Sequence, residues 1–135
     1  MIDRMGLLKL ALVVFGVVFC LVYPLALVWP SGWAWHAGMP YDSDYFMMIT
    51  GVYATLGVFL ILASRDPAAN RSLILFTAWS SIVHAAIMAL QSVQMSEHFG
   101  HLYGDVPALL LVAAVFLVLL PPRTESSGAS KRAMA

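Results

Sequence analysis

The sequence predicts an all-α integral membrane protein, a single bundle of four transmembrane helices with both termini in the cytoplasm. Of its 135 residues, 61% are hydrophobic and 10% are charged, whereas soluble domains carry about 25% charged residues. Four apolar runs each approach the roughly 20 residues that a helix needs to cross about 30 Å of hydrocarbon. All seven basic residues fall in three segments, which a four-helix topology places on one side of the membrane.

Composition also excludes several classes of protein. The mean hydropathy is +0.87, and so few charged residues cannot cover the surface of an ordinary soluble enzyme. The formal net charge is zero, so there is no basic excess to pair with phosphates, and no nucleic-acid partner is predicted. A single cysteine excludes a disulfide framework and a cysteine zinc cluster.

The predicted spans cover about residues 7–29, 44–64, 72–93 and 103–120, and residues 1–122 form one domain. Ser43 or Asp44 is suited to cap the second span, because a side-chain oxygen there accepts free amide protons. Asp105 ahead of Pro107 resembles a capped helix start, which would leave a short fourth span. We therefore extend that span back to Tyr103. The polar, serine-rich residues 123–135 are predicted to form a disordered cytoplasmic tail.

The basic residues predict the orientation. They precede the first span, lie between the second and third, and follow the fourth: Arg4, Lys9, Arg65, Arg71, Arg123, Lys131 and Arg132. The positive-inside rule makes that side cytoplasmic. The sequence thus predicts a multi-pass membrane protein with the acidic loops on the outer side.

Span three carries an unusual polar stripe. Its members are spaced four, three, four and three residues apart, which places them on one face of a helix: Thr77, Ser81, His84, Met88 and Gln91, with Ser80 beside them. Polar groups avoid lipid, so this stripe should face the other helices. Tyr53 on span two is a candidate partner for His84 or a serine. The stripe serves either helix packing or contact with a ligand, a metal ion or a proton.

Histidines and carboxylates in the predicted outer loops form a second candidate site. His98 and His101 are one helical turn apart, and three further groups, His36, Glu97 and Asp105, could complete a set of ligands. Imidazole and carboxylate together suit zinc, copper or iron. The alternative is that these histidines are solvated and bind no metal. No cofactor is predicted.

The stretch Arg65-Asp66-Pro67, Arg71-Ser72-Leu73, Thr77, Trp79-Ser80-Ser81 and His84 resembles a family of small bacterial membrane proteins of unknown function. The resemblance covers spans two and three best. It implies a four-helix protein of the bacterial inner membrane. It supplies no catalytic residue.

Three functions are compatible with these features. The first is a non-catalytic protein that acts through helix association in the lipid bilayer, as a homo-oligomer or as an accessory subunit of other membrane proteins. The fourth span carries no polar side chain between Pro107 and Leu120, and we interpret it as the most lipid-exposed helix or as a face for another subunit. The alternative is a small transporter or lipophilic-ligand carrier that uses the polar stripe around His84. The third is an outer-face metal-binding protein. No catalytic residues are predicted, so an enzyme is the less favoured interpretation.

Overall fold

The computed structural model describes residues 3–28, 39–94 and 101–122 and confirms an all-α architecture with four helices. They are α1 (Arg4–Val28), α2 (Asp44–Ala63), α3 (Arg71–Gln94) and α4 (Asp105–Leu119). A short 3-10 turn, Pro40–Asp42, precedes α2. Ser43 caps α2 as predicted, because its Oγ accepts a hydrogen bond from the amide of Phe46 at 3.2 Å. The predicted tail at 123–135 lies outside the described residues.

Three of these helices, α1, α2 and α3, are long and apolar enough to cross a membrane. The fourth has 15 residues and begins at Asp105, two residues after the predicted start of its span. A helix that began at Tyr103 would need an amide proton on Pro107 to reach the carbonyl of Tyr103, and proline has none. The observed start places Pro107 in the first turn, where that donor is not required.

The helices run alternately up and down and associate as two pairs. α1 lies along α2, and α3 lies along α4, whereas α2 and α3 make few contacts. The two pairs share one apolar core, whose fully buried members include Leu8, Leu12, Leu60, Ile74, Ala78 and Phe116. Phe15 of α1 packs edge-on against Phe116 of α4, with 5.4 Å between ring centroids. This aromatic contact joins one pair to the other.

Two glycines set the distance between α1 and α2. A Cβ atom on Gly16 would lie 2.7 Å from the carbonyl oxygen of Gly57, and one on Gly57 would overlap the carbonyl oxygen of Gly16. The two backbones therefore touch directly at this crossing. Small residues permit such close approach between helices in lipid, where packing rather than water exclusion holds helices together.

Two arginines hold the end of α4. Arg4, at the start of α1, donates to the carbonyls of Val118 at 2.5 Å and Leu119 at 3.2 Å. Arg71, at the start of α3, donates to the carbonyl of Pro121. The last carbonyls of a helix lack partners within it and carry partial negative charge, which a guanidinium satisfies. We call this the basic end of the bundle (Arg4, Arg65, Arg71) and the opposite one the acidic end (Asp42, Asp44, Asp105).

The interpretation of α4 as the most lipid-exposed helix is wrong. Five of its 15 residues are buried, against five of 25 in α1. Phe116 is completely enclosed. Because α4 contacts both α3 and α1, its apolar side chains contribute to the core of the bundle.

The glycine crossing gives a stability prediction. Gly57→Ala should destabilise the protein by about 2 kcal/mol, because the added methyl group meets rigid backbone and the helices must move apart. Gly51→Ala is the matched control, since a Cβ there has nothing within 4 Å. Thermal unfolding in a mild detergent measures both. Equal melting temperatures for the two variants would show that the crossing sets no constraint.

Candidate functional site

The polar stripe of α3 is buried for part of its length. Thr77 and Ser81 are buried, Ser80, His84 and Met88 are partly buried, and Gln91 is exposed. The Thr77 hydroxyl donates to the carbonyl of Leu73 at 2.9 Å, and the Ser80 hydroxyl donates to that of Thr77 at 3.1 Å. Both hydroxyl protons are thus used within α3 itself, which makes these residues inexpensive to bury in an apolar bundle.

Ser92, which the stripe omitted, takes the inward position next to Gln91. It is fully buried and donates to the carbonyl of Met88 at 2.8 Å. A step of 3.6 residues per turn from Thr77 arrives between positions 91 and 92 after four turns. The spacing is therefore compatible with either Gln91 or Ser92 at the inward position. Ser92 takes it, because its side chain is smaller and its hydroxyl bonds back to its own helix.

Tyr53 and His84 come together between α2 and α3. The Tyr53 hydroxyl lies 2.5 Å from His84 Nδ1, and the two rings stack with centroids 6.0 Å apart. Phe19 packs edge-on against Tyr53 at 5.1 Å. A phenol donates one proton and accepts another, and a neutral imidazole does the same through its two nitrogens. Whichever group donates in this contact, the pair still offers one donor and one acceptor to a third molecule.

A second polar pair lies at the acidic end. His101 Nδ1 is 2.5 Å from Asp105 Oδ2, and the side chains of both are less than one-fifth exposed. Asp105 is the first residue of α4, and His101 lies one turn before it. The geometry is that of an ion pair whenever His101 is protonated. The carboxylate also lies at the N-terminus of a helix, where the helix dipole stabilises negative charge.

The predicted metal site is only partly described. Within residues 3–28, 39–94 and 101–122, no three His, Cys, Asp or Glu side chains are grouped so as to hold a metal ion. His36, Glu97 and His98 lie outside those ranges. The structure therefore places two of the five candidates, His101 and Asp105, and shows them paired with each other.

Both polar pairs line one cavity of about 700 Å³. It lies towards the acidic end, between residues from all four helices, and most of its wall is aliphatic or aromatic. Its polar lining includes Thr50, Tyr53, His84, His101 and Asp105. Ligand sites are typically of this size and kind, concave and apolar with a few converging polar groups. Sequence reasoning did not connect Asp105 with His84, because the two are 21 positions apart and no pattern links them.

The mouth of the cavity is marked by lining residues that are themselves exposed. Val14 and Val18 belong to α1, Ala108 and Leu111 belong to α4, and Tyr45 lies at the start of α2. Towards the basic end, by contrast, α1 and α4 are joined in the middle of α1 by the packing of Phe15 on Phe116 and at its start by Arg4. The cavity therefore opens sideways between α1 and α4, on a face made of apolar side chains.

The chain matches the model of a family of unknown function, DUF6632, over residues 3–133. It belongs to that family. The resemblance of spans two and three to a family of unknown function is thereby confirmed, and it extends over nearly the whole chain. No curated protein and no solved structure matches. Membership of this family assigns no activity to the chain.

The contact between Tyr53 and His84 can be tested by a double-mutant cycle. Tyr53→Phe and His84→Ala together should cost less stability than the sum of the single changes, with a coupling of about 1 kcal/mol for one interhelical hydrogen bond. Tyr41→Phe, at a hydroxyl on an exposed side chain, is the control and should not couple to His84→Ala. Unfolding in detergent measures each step, and strictly additive losses would contradict the bond.

Proposed function

We propose that this protein crosses the membrane and binds a lipophilic small molecule in the cavity between its four helices, as a carrier or small transporter. The observation that carries the proposal is the cavity itself. An apolar space of about 700 Å³ holds two polar pairs, and its mouth lies on the face that meets lipid in a membrane-embedded bundle. An apolar molecule dissolved in the bilayer would reach this mouth without crossing water.

The polar stripe acquires a narrower role in this proposal. Thr77 and Ser80 bond to their own helix, and Gln91 is exposed. From the stripe, only His84 and Met88 of α3 line the cavity, and Tyr53 of α2 lines it beside them. His84 and Tyr53 would orient the polar part of a ligand, while Met88 and the aromatic rings contact its apolar body.

Closing the mouth should abolish binding. Ala108→Trp places an indole at the mouth of the cavity, whereas Ala114→Trp adds the same group to an exposed position of α4 that does not line it. We expect native mass spectrometry to find a small molecule retained by the unaltered protein and by Ala114→Trp, and lost from Ala108→Trp. Retention of the same molecule by all three proteins would contradict binding in this cavity.

The proposed location is the bacterial inner membrane, with both termini and the basic end in the cytoplasm. Its support is that Arg4, Arg65 and Arg71 lie at one end of the bundle, whereas Asp42, Asp44 and Asp105 lie at the other. Positive residues flanking spans are retained on the cytoplasmic side.

Cysteine labelling of intact bacterial spheroplasts tests that orientation. Ala68→Cys lies in the exposed link between α2 and α3, and Met39→Cys lies at the acidic end. A reagent that cannot cross the membrane should label Met39→Cys and spare Ala68→Cys until the cells are lysed. The native Cys20 packs against Gly57 inside the bundle, so unaltered protein provides the blank. Labelling of Ala68→Cys in intact spheroplasts would show that the protein has the opposite orientation in the membrane.

Association with a second copy or with another membrane subunit is the second candidate function. The observation that favours it is a shallow groove on α2, lined by Met48, Gly51, Val52, Thr55, Phe59 and Leu73 on α3. Gly51 leaves open space there, and small residues of this kind let another helix approach closely. Sizing in a gentle detergent tests this candidate. A strictly monomeric species that co-purifies with no other protein would remove it.

A further inference from the structure

We propose that the ligand of this cavity is an organic cation, an ammonium group carried on an apolar body, with Asp105 as its counter-ion. This inference rests on the proposed function, because it names the chemical class of the molecule that the same cavity binds. The observation behind it is the placement of one carboxylate and several aromatic rings around a single apolar space.

The charge at the cavity centres on Asp105, to which the neighbouring His101 adds positive charge only when it is protonated. Asp105 is the acidic residue among the described lining residues, and no lysine or arginine is found among them. Of the described basic side chains at the other end of the bundle, Arg4 and Arg71 donate to backbone carbonyls at and just beyond the end of α4. A carboxylate at the edge of an apolar space attracts a cation strongly and repels an anion, because little water is present to screen it.

The carboxylate has capacity for a second partner. His101 Nδ1 contacts Oδ2 of Asp105, and an ionised carboxylate has two oxygens with about four lone-pair sites. An ammonium group can therefore approach Oδ1 while His101 holds the other oxygen. Because the two side chains are less than one-fifth exposed, that approach would be shielded from bulk water.

The aromatic lining is of the kind that recognises cations. Five rings border the cavity, those of Phe15, Phe19, Tyr45, Phe46 and Tyr53. The face of an aromatic ring carries partial negative charge and attracts an ammonium group within about 6 Å. The same rings pack well against an apolar body, so they serve both parts of such a ligand. The remaining donor and acceptor of the Tyr53–His84 pair would satisfy further polar groups on it.

The test uses three probes that differ only in their polar group. A naphthylhexyl chain carries an ammonium, a hydroxyl or a carboxylate group, and equilibrium dialysis measures its binding to the full-length protein in dodecyl maltoside, with protein-free micelles as the blank. We expect the ammonium probe to bind at least about tenfold more tightly than the other two, as one additional ion pair in a partly desolvated site allows. Asp105→Asn should reduce that preference to about twofold or less and leave the binding of the alcohol unchanged.

Two further variants isolate the role of Asp105. Asp44→Asn removes an acid from the same end of the bundle, at an exposed position outside the cavity, and should keep the preference. Asp105→Glu retains the charge and should also keep it, which separates loss of the counter-ion from loss of the fold. Addition of phosphatidylethanolamine, whose headgroup carries an ammonium, distinguishes the sources of the ligand. Weaker probe binding would indicate a lipid headgroup, and unchanged binding a free amine.

The outcomes separate this inference from the proposed function. If the alcohol or the carboxylate binds as tightly as the ammonium probe, or if Asp105→Asn keeps the preference, the cation is the wrong class and the cavity remains a binding site. If no probe binds above the micelle blank, or if Ala108→Trp binds all three as well as Ala114→Trp does, both proposals are overturned.

Discussion

The arrangement of the bundle depends on the crossing of α1 and α2 at Gly16 and Gly57. Each glycine lies where a Cβ atom would strike the other helix, so the two backbones are as close as helices can be. This contact makes α1 and α2 one unit, and α3 and α4 form the other. The units meet through Phe15 on Phe116 and through Arg4 at the basic end. Since these joints lie in the middle and at the basic end, the space left between the units opens towards the acidic end.

Polar side chains inside the bundle follow two different rules. Thr77, Ser80 and Ser92 donate to carbonyls of their own helix, which buries a hydroxyl without requiring any partner from another helix. Tyr53 and His84 instead bond across α2 and α3, where the two helices otherwise make few contacts. Hydrogen bonds between apolar helices contribute modestly to stability, so this pair alone would hold α2 and α3 together only weakly. The pair also lies on the wall of the cavity, where the proposed ligand would meet it.

The cavity also changes the order of the candidate functions. Composition alone favours a protein that acts by association, because it has few polar groups and no catalytic constellation. The tertiary structure favours ligand binding instead. Association between helices does not require a cavity inside the bundle, whereas binding of a small molecule does. The two functions are compatible, because the groove on α2 and the mouth between α1 and α4 lie on different helices. A second copy seated on Gly51 would leave the mouth open.

The sequence by itself determined the helices and their ends. Length, hydropathy and capping residues are local properties, so they place α1, α2 and α3 to within a few residues, whereas the predicted fourth span began at Tyr103 and α4 begins at Asp105. Family membership could also be recognised from the residues around Arg65 and His84. Only the tertiary structure decided which side chains meet. These juxtapositions depend on how each helix is rotated and where it crosses its neighbours, and they include Gly16 with Gly57, Tyr53 with His84, and His84 with Asp105 around one cavity. Rotation and crossing are set by packing across the whole bundle, so they leave no local pattern in the chain.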